Sequence, residues 1–185
     1  PEREIVQLFS IIYEPVSQTS FMNCLNRSEI KDKKGKTFVP KSIKPILDNL
    51  VERGVLYKEN GRNFQCHPLL EEIATRDAVR KGRFEKFVKE VERTYPVRSF
   101  GKNCPRYFSS EGELIREIRI GVYRQDYNFV LKQVEDYHQS SYSGKKISLD
   151  SVLLQIFNNP FDKEWFRQVP DVVLENGLWD ILLNS

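Results

Sequence analysis

At Gly54 the apolar residues of this chain change their period, and that change restricts the fold more than any other feature. Before it they recur every three to four positions. Ile5, Leu8, Phe9 and Ile12 make one such stripe, and Phe21, Cys24 and Leu25 make a second. Ile43, Ile46, Leu47 and Leu50 make a third. Each spacing puts its members on one face of a helix. Pro15 closes the first helix, Ser17 caps the second, and Pro40 opens a third that runs to about Arg53, with Pro45 inside it as a source of a kink or a later start. After Gly54 the side chains alternate: Val55, Tyr57 and Glu59 against Leu56 and Lys58, then Asn60-Gly61, then an extended run from Arg62 to Cys66. Asn-Gly tolerates positive φ at both positions and joins short strands into a hairpin. Helices followed by such a hairpin give the order of a winged-helix domain, expected over residues 1–82.

Helical periodicity then resumes. His67-Pro68 opens a helix whose expected core face is Leu69, Leu70, Ile73 and Ala74, and Phe84, Phe87, Val88 and Val91 mark the next. Residues 96–109 show no period and read as a loop between subdomains. Beyond it come stripes at Leu114, Ile115, Ile118 and Val122, then at Phe129, Val130, Val134 and Tyr137 capped by Asp126. Ser148 caps a helix carrying Leu149, Val152, Leu153, Ile156 and Phe157; Trp165, Phe166 and Val169 follow, and Pro170 starts a last helix with Val173, Leu174, Leu178 and Leu182. The expected fold class is mainly α: a winged helix, then a stacked antiparallel helical array over 83–185.

Composition excludes several classes. With 39% apolar and 30% charged residues the chain is neither disordered nor fibrous. Its apolar runs are far shorter than the ~20 residues of a membrane helix, so no membrane partner is expected. No secretory leader is visible, and three widely spaced cysteines, Cys24, Cys66 and Cys104, argue against a disulfide scaffold and for a reducing, cytoplasmic setting. The chain starts at Pro1 and stops just after an apolar run, as expected of a piece of something longer, although removal of an initiator methionine would explain the start equally well.

Catalytic chemistry is not expected. Gly144-Lys145 lacks the glycine five residues earlier and the following Ser/Thr of a phosphate-binding loop. Two histidines, His67 and His138, give no metal-ligand spacing, and Cys24 lies on an apolar stripe. Cys104 lies near Lys102 and Arg106, a weak sign of reactivity. No metal, cofactor or small-molecule ligand is expected.

Charge is informative through its placement. The net charge is +3, yet residues 27–44 alone hold seven basic residues against Glu29 and Asp32, while 83–185 is balanced. Lys33, Lys34 and Lys36 precede the third helix, Lys41 and Lys44 lie off its apolar stripe, and Lys58 and Arg62 flank the hairpin turn. In helix-turn-helix proteins these positions meet DNA phosphates. Asp48 and Glu52 share that helix face and repel phosphate, so the expected contact with duplex DNA is backbone-led, weak and not sequence-selective. The opposing reading is a solvated surface on a protein-contact module. Tyr107, Phe108, Tyr123, Tyr127, Tyr137 and Tyr142 in the helical half suit a packing edge or a partner surface.

Four segments, LFSIIYEPVSQTSFMNCLN (8–26), FQCHPLLEEIATRDAVRKGRF (64–84), ELIREIRIGVYRQDYNFVLKQVEDY (113–137) and FNNPFDKEWF (157–166), together resemble the N-terminal, non-motor region of large bacterial Swi/Snf-type helicase-like ATPases. The resemblance covers nearly all of the chain and rests on no diagnostic motif. It implies a non-catalytic accessory region whose partners are duplex DNA and the ATPase motor of the same parent chain, with ATP hydrolysis residing in that motor. HPLLEEIA after a hairpin is also similar to the region following the nucleotide-binding domain of signal-transduction ATPases of the apoptotic and regulatory type. That resemblance implies an intramolecular switch with no nucleic-acid contact.

Overall fold

The first apolar stripe folds as α1 (Glu2–Ile12), with Ile5, Leu8, Phe9 and Ile12 buried, in a computed structural model that describes residues 1–99, 101, 104–140, 147–158 and 160–167. Tyr13, at φ 63°, ends the helix by donating its N–H to the Phe9 carbonyl. Ser17 Oγ accepts the Ser20 N–H at 3.2 Å and starts α2 (Gln18–Arg27). Phe21 of α2 stacks on Phe9, ring centroids 3.7 Å apart, and so locks the two helices together. α3 (Pro40–Glu52) buries Ile43, Leu47 and Leu50, with Ile46 only half-buried. Pro45 is accommodated without ending the helix, at an exposed position close to the helix start.

Asn60 (φ 50°) and Gly61 (φ 69°) form the turn between β2 (Leu56–Glu59) and β3 (Asn63–Cys66), in a register that pairs Leu56 with Cys66 and Glu59 with Asn63. A two-residue strand that periodicity does not reveal, β1 (Val16–Ser17), pairs with the other side of β3, giving the order β1-β3-β2. β3 is therefore central, and its Phe64 and Cys66 side chains enter the core.

α4 (Pro68–Arg80) starts as its sequence indicates, with Pro68 in the first turn and His67 Nδ1 accepting the Leu69 N–H at 3.3 Å. Its buried face is not the expected one. Leu69 is 62% and Ile73 47% exposed, whereas Glu71, Glu72, Thr75 and Arg76 are each at most 4% exposed. The cause lies on the neighbouring helix. α4 packs against α1, which presents Gln7 and Ser10 at the contact. Thr75 donates to Ser10 Oγ at 3.0 Å, and Gln7 Nε2 donates to Asp77 at 2.6 Å. A polar strip on α1 requires a polar strip on α4.

α5 (Phe84–Thr94) buries Phe84, Phe87, Val88 and Val91 against α1 and α2. The first compact unit accordingly runs from Pro1 to Pro96, and a boundary at 82 would cut between two helices that share α1 as a support.

The second unit, Val97–Ser185, begins with a small ribbon inside the stretch expected to be a bare loop: β4 (Arg98–Ser99) pairs antiparallel with β5 (Arg106–Tyr107). α6 (Glu111–Arg124) is capped by Ser110, whose Oγ accepts the Glu113 N–H at 3.0 Å. α7 (Tyr127–Ser140) follows Asp126, which accepts the Phe129 N–H at 3.0 Å. Gly121 allows α6 and α7 to approach closely: a Cβ there would lie 2.6 Å from Val130 Cγ2. α8 (Leu149–Asn158) buries Val152, Leu153, Ile156 and Phe157, and α9 is Lys163–Phe166. The expected loop at 141–146, with Tyr142, Gly144, Lys145 and Lys146, lies outside the described residues. So do Val169, the helix expected from Pro170 with Val173, Leu174, Leu178 and Leu182, and the side chains of Trp165 and Phe166. Among the described residues the fold is mainly helical, and no helix is long and apolar enough to cross a membrane.

Candidate nucleic-acid interface

The lysine-rich segment between α2 and α3 is an ordered turn. Lys31 and Thr37 form an antiparallel bridge, and Lys31 Nζ donates to Thr37 Oγ1 at 3.1 Å. Asp32 organises the residues between them. One of its carboxylate oxygens accepts the backbone N–H groups of Lys34 at 2.8 Å and Lys36 at 2.7 Å, and its carbonyl accepts the Gly35 N–H. Gly35 takes φ 74°, which a side chain would resist. On either side Ile30 and Phe38 are buried, and Asn26 Nδ2 donates to the Phe38 carbonyl at 3.1 Å. The two ends of the turn are thus fastened to the core while its lysines point outward.

Lys33, Lys34 and Lys36 are exposed, and among the described residues none is paired with a carboxylate. The same holds for Lys41 in the first turn of α3 and for Arg62 beside the β2–β3 turn. Glu29, the next carboxylate upstream of Asp32, is drawn away to Lys86 at 2.7 Å, and the Lys86 ammonium holds its carboxyl below the usual range.

Lys44 and Lys58 differ. The structure brings them together on Asp48: Lys44 Nζ donates to one carboxylate oxygen and Lys58 Nζ to the other, the latter at 3.0 Å. Hydrogen bonds from Lys44 and then Lys58 hold the Asp48 carboxyl below its ordinary value, so it stays ionised across neutral pH. Lys58 Nζ also lies 5.2 Å from the centre of the Phe64 ring, a weak cation–π contact that fixes it over the sheet. Arg53 turns back to Glu2 of α1 at 3.3 Å and takes no part in the patch. The outer face of α3 therefore combines Lys41 with a neutralised Lys44–Asp48–Lys58 set and an exposed Glu52. The sequence-derived set of seven separates into five uncommitted cations and two bound by a carboxylate.

Sequence reasoning missed the buried charges. Arg116, Glu117, Arg119 and Asp136 are buried in the second unit. Glu117 accepts from Arg106 at 2.8 Å and from Arg116 Nε at 3.3 Å, and Asp136 accepts the Arg106 backbone N–H at 3.2 Å. Arg106 also donates to Gln133. These contacts tie β5 to α6 and α7, and their acceptors are occupied by protein donors. Helical periodicity gives no warning of them, because it assigns charged residues to the solvent side. Cys24 is buried, and desolvation pushes its thiol up to about 11, which suppresses the nucleophilic thiolate. No group of three or more His, Cys, Asp or Glu residues that could hold a metal occurs among the described residues.

The chain matches no protein-family model, no curated protein and no solved structure.

Proposed function

We propose that this chain is a non-catalytic accessory module of a larger DNA-dependent, helicase-like ATPase, touching the duplex backbone weakly and without strong sequence selectivity. The observation that carries the reading is the turn of residues 31–37, braced by Asp32, in which Lys33, Lys34 and Lys36 are exposed and their side-chain ammonium groups make no ion pair among the described residues. The element order α1-β1-α2-α3-β2-β3 with a three-stranded sheet supports a winged helix for the first unit. In that architecture the turn, the start of α3 and the β2–β3 tip lie where phosphates pass. The outer face of α3 offers Asn49 but few other base-reading side chains, which favours backbone contact over base readout. The α6–α7 hairpin and α8 support a stacked helical array in the second unit. The proposed partners are duplex DNA and the ATPase motor of the same parent chain, of the bacterial Swi/Snf type that the sequence resembles. Cysteines that form no disulfide suit a cytoplasmic setting.

The test is fluorescence anisotropy with a labelled duplex of about 20 base pairs at stepped salt concentrations. Five phosphate contacts give a log–log salt slope of about −4.5, and changing Lys33, Lys34 and Lys36 together to Glu reduces it to about −1.8. Binding absent even at low salt, or indifferent to the triple substitution, overturns the proposal.

A second reading, a protein-contact module of a signal-transduction ATPase with no nucleic-acid binding, is favoured by one observation. Asp48 occupies two of the seven candidate cations on the face that would meet DNA. It requires interaction with an ATPase domain supplied in trans and no response to the duplex.

A further inference from the structure

We infer that the outer face of the β4–β5 ribbon binds single-stranded DNA, stacking an unpaired base on Tyr107 and holding a phosphate with Arg98. The inference uses only the second unit and is tested separately from duplex contact by the first. It starts from the way the ribbon is fastened. The Arg106 guanidinium turns inward, where it donates to Glu117 at 2.8 Å and to Gln133 and lies 5.8 Å from the centre of the Phe129 ring. Its backbone N–H donates to Asp136 at 3.2 Å. Phe108 is buried and meets Tyr137 edge-on, ring centroids 5.9 Å apart. Successive residues of an extended chain point to opposite sides. With Arg106 and Phe108 drawn in, Tyr107 between them is turned out, and it is 38% exposed.

Tyr107 pairs directly with Arg98 across the ribbon. Residues opposed in this way share a face, with Cβ atoms about 5 Å apart. Arg98 is exposed, and among the described residues it makes no ion pair, while Tyr107 makes no hydrogen bond or ring contact. The carboxylates beneath the ribbon are engaged: Glu117 and Asp136 with Arg106, and Glu113 with the Ser109 N–H at 2.7 Å. From Pro96 to Ser110 the sequence holds no Asp or Glu at all. The face therefore offers a ring and an uncommitted guanidinium side by side. A guanidinium pairs with phosphate through its fork of N–H donors, and an aromatic ring stacks on the π-face that every base carries. An anchor in a protein interface instead needs packed neighbours that keep water away from it. Around Tyr107 the exposed residues Ser99, Gly101, Ser109 and Ser110 are small and build no such rim. A duplex keeps its base faces inside the stack, so the strand that suits this ribbon is unpaired.

The experiment uses the whole chain and two fluorescein-labelled oligomers of about six nucleotides, one of thymidines and one abasic, read by anisotropy. The thymidine oligomer should bind saturably and the abasic one at least about fivefold more weakly. Tyr107→Ala and Tyr107→Leu should each weaken the thymidine oligomer at least about fivefold and leave the abasic one unchanged. Tyr107→Phe, which keeps the ring, should match the natural protein. Arg98→Gln should make the log–log salt slope shallower by about 0.7, the value of one single-strand phosphate contact. Equal binding of the two oligomers, binding of neither, or indifference to Tyr107→Ala overturns the proposal. So does sedimentation velocity in which Tyr107→Ala separates copies of this chain while the oligomers stay unbound, the mark of a protein-contact face. Two controls keep this inference apart from the duplex reading. Tyr107→Ala should leave duplex binding unchanged, and its effect on the thymidine oligomer should persist when Lys33, Lys34 and Lys36 are changed to Glu.

Discussion

Replacing Asp48 with Asn should tighten duplex binding at low salt although it adds no cation. Asp48 holds Lys44 and Lys58 at once, so on the proposed reading the natural protein would meet phosphate with Lys33, Lys34, Lys36, Lys41 and Arg62. Counterion release lowers log K by about 0.9 per phosphate contact for each tenfold rise in salt. Five contacts give a slope of about −4.5 and seven give about −6.3. Between about 50 and 200 mM salt the natural protein should lose affinity about 500-fold and the variant about 6,000-fold. The variant is tighter at the low end, and the two curves converge as salt rises. Anisotropy at four salt concentrations measures both slopes. Glu52→Gln is the control: it removes a negative charge from the same helix but releases no lysine, so its slope should stay near that of the natural protein. A slope for Asp48→Asn that equals the natural one, or a weaker complex at low salt, refutes the assignment of Lys44 and Lys58 as latent phosphate contacts.

Three further substitutions test the packing. Gly121→Ala places a methyl group 2.6 Å from Val130 and 2.9 Å from Phe129 and should destabilise the second unit by about 1–3 kcal/mol in urea unfolding; an unchanged midpoint would show that α6 and α7 can separate freely. Arg106→Met leaves Glu117 buried with one cationic partner fewer and should cost about 3 kcal/mol, whereas a loss below about 1 kcal/mol would mean that the network is not a structural tie. Asp77 is held below its ordinary pKa chiefly by the Arg3 guanidinium. Its stabilising contribution is thus present above the unfolded carboxylate pKa of about 3.9 and disappears as pH falls through the lower folded value. Asp77→Asn should accordingly lower the unfolding midpoint at pH ~7, and the difference between the two proteins should shrink as pH falls below the unfolded carboxylate pKa.

Where helices meet through aliphatic residues, the sequence was informative. Ile5, Leu8 and Phe9 of α1, Phe21 of α2 and Ile43 of α3 are buried as their spacing indicates, and Asn60-Gly61 marks a turn that only positive φ allows. α4 could not be read in this way, because its buried face was chosen by Gln7 and Ser10 on another helix. Periodicity sees one element at a time. β1 escaped because two residues have no period, and β4 and β5 escaped for the same reason. The candidate cations were legible by type and position. That Lys44 lies four residues before Asp48 was visible too, but the approach of Lys58 needs the folded hairpin. The network around Arg106 joins residues up to thirty positions apart, beyond the reach of any local pattern.

Asp32 has a consequence that runs against its charge. A cationic loop that meets DNA ordinarily surrenders backbone freedom worth about 1–2 kcal/mol for each residue it fixes. Here a carboxylate has already set the loop's shape by clasping the Lys34 and Lys36 amides, so that loss falls on folding and not on association. Preorganisation of a basic surface thus resides in an acidic side chain. On the proposed reading the two aspartates act in opposite senses: Asp48 restrains the cations around it, while Asp32 holds its neighbours ready for phosphate. Asp32→Ala, though it raises the net positive charge, should leave the protein a poorer ligand for a polyanion.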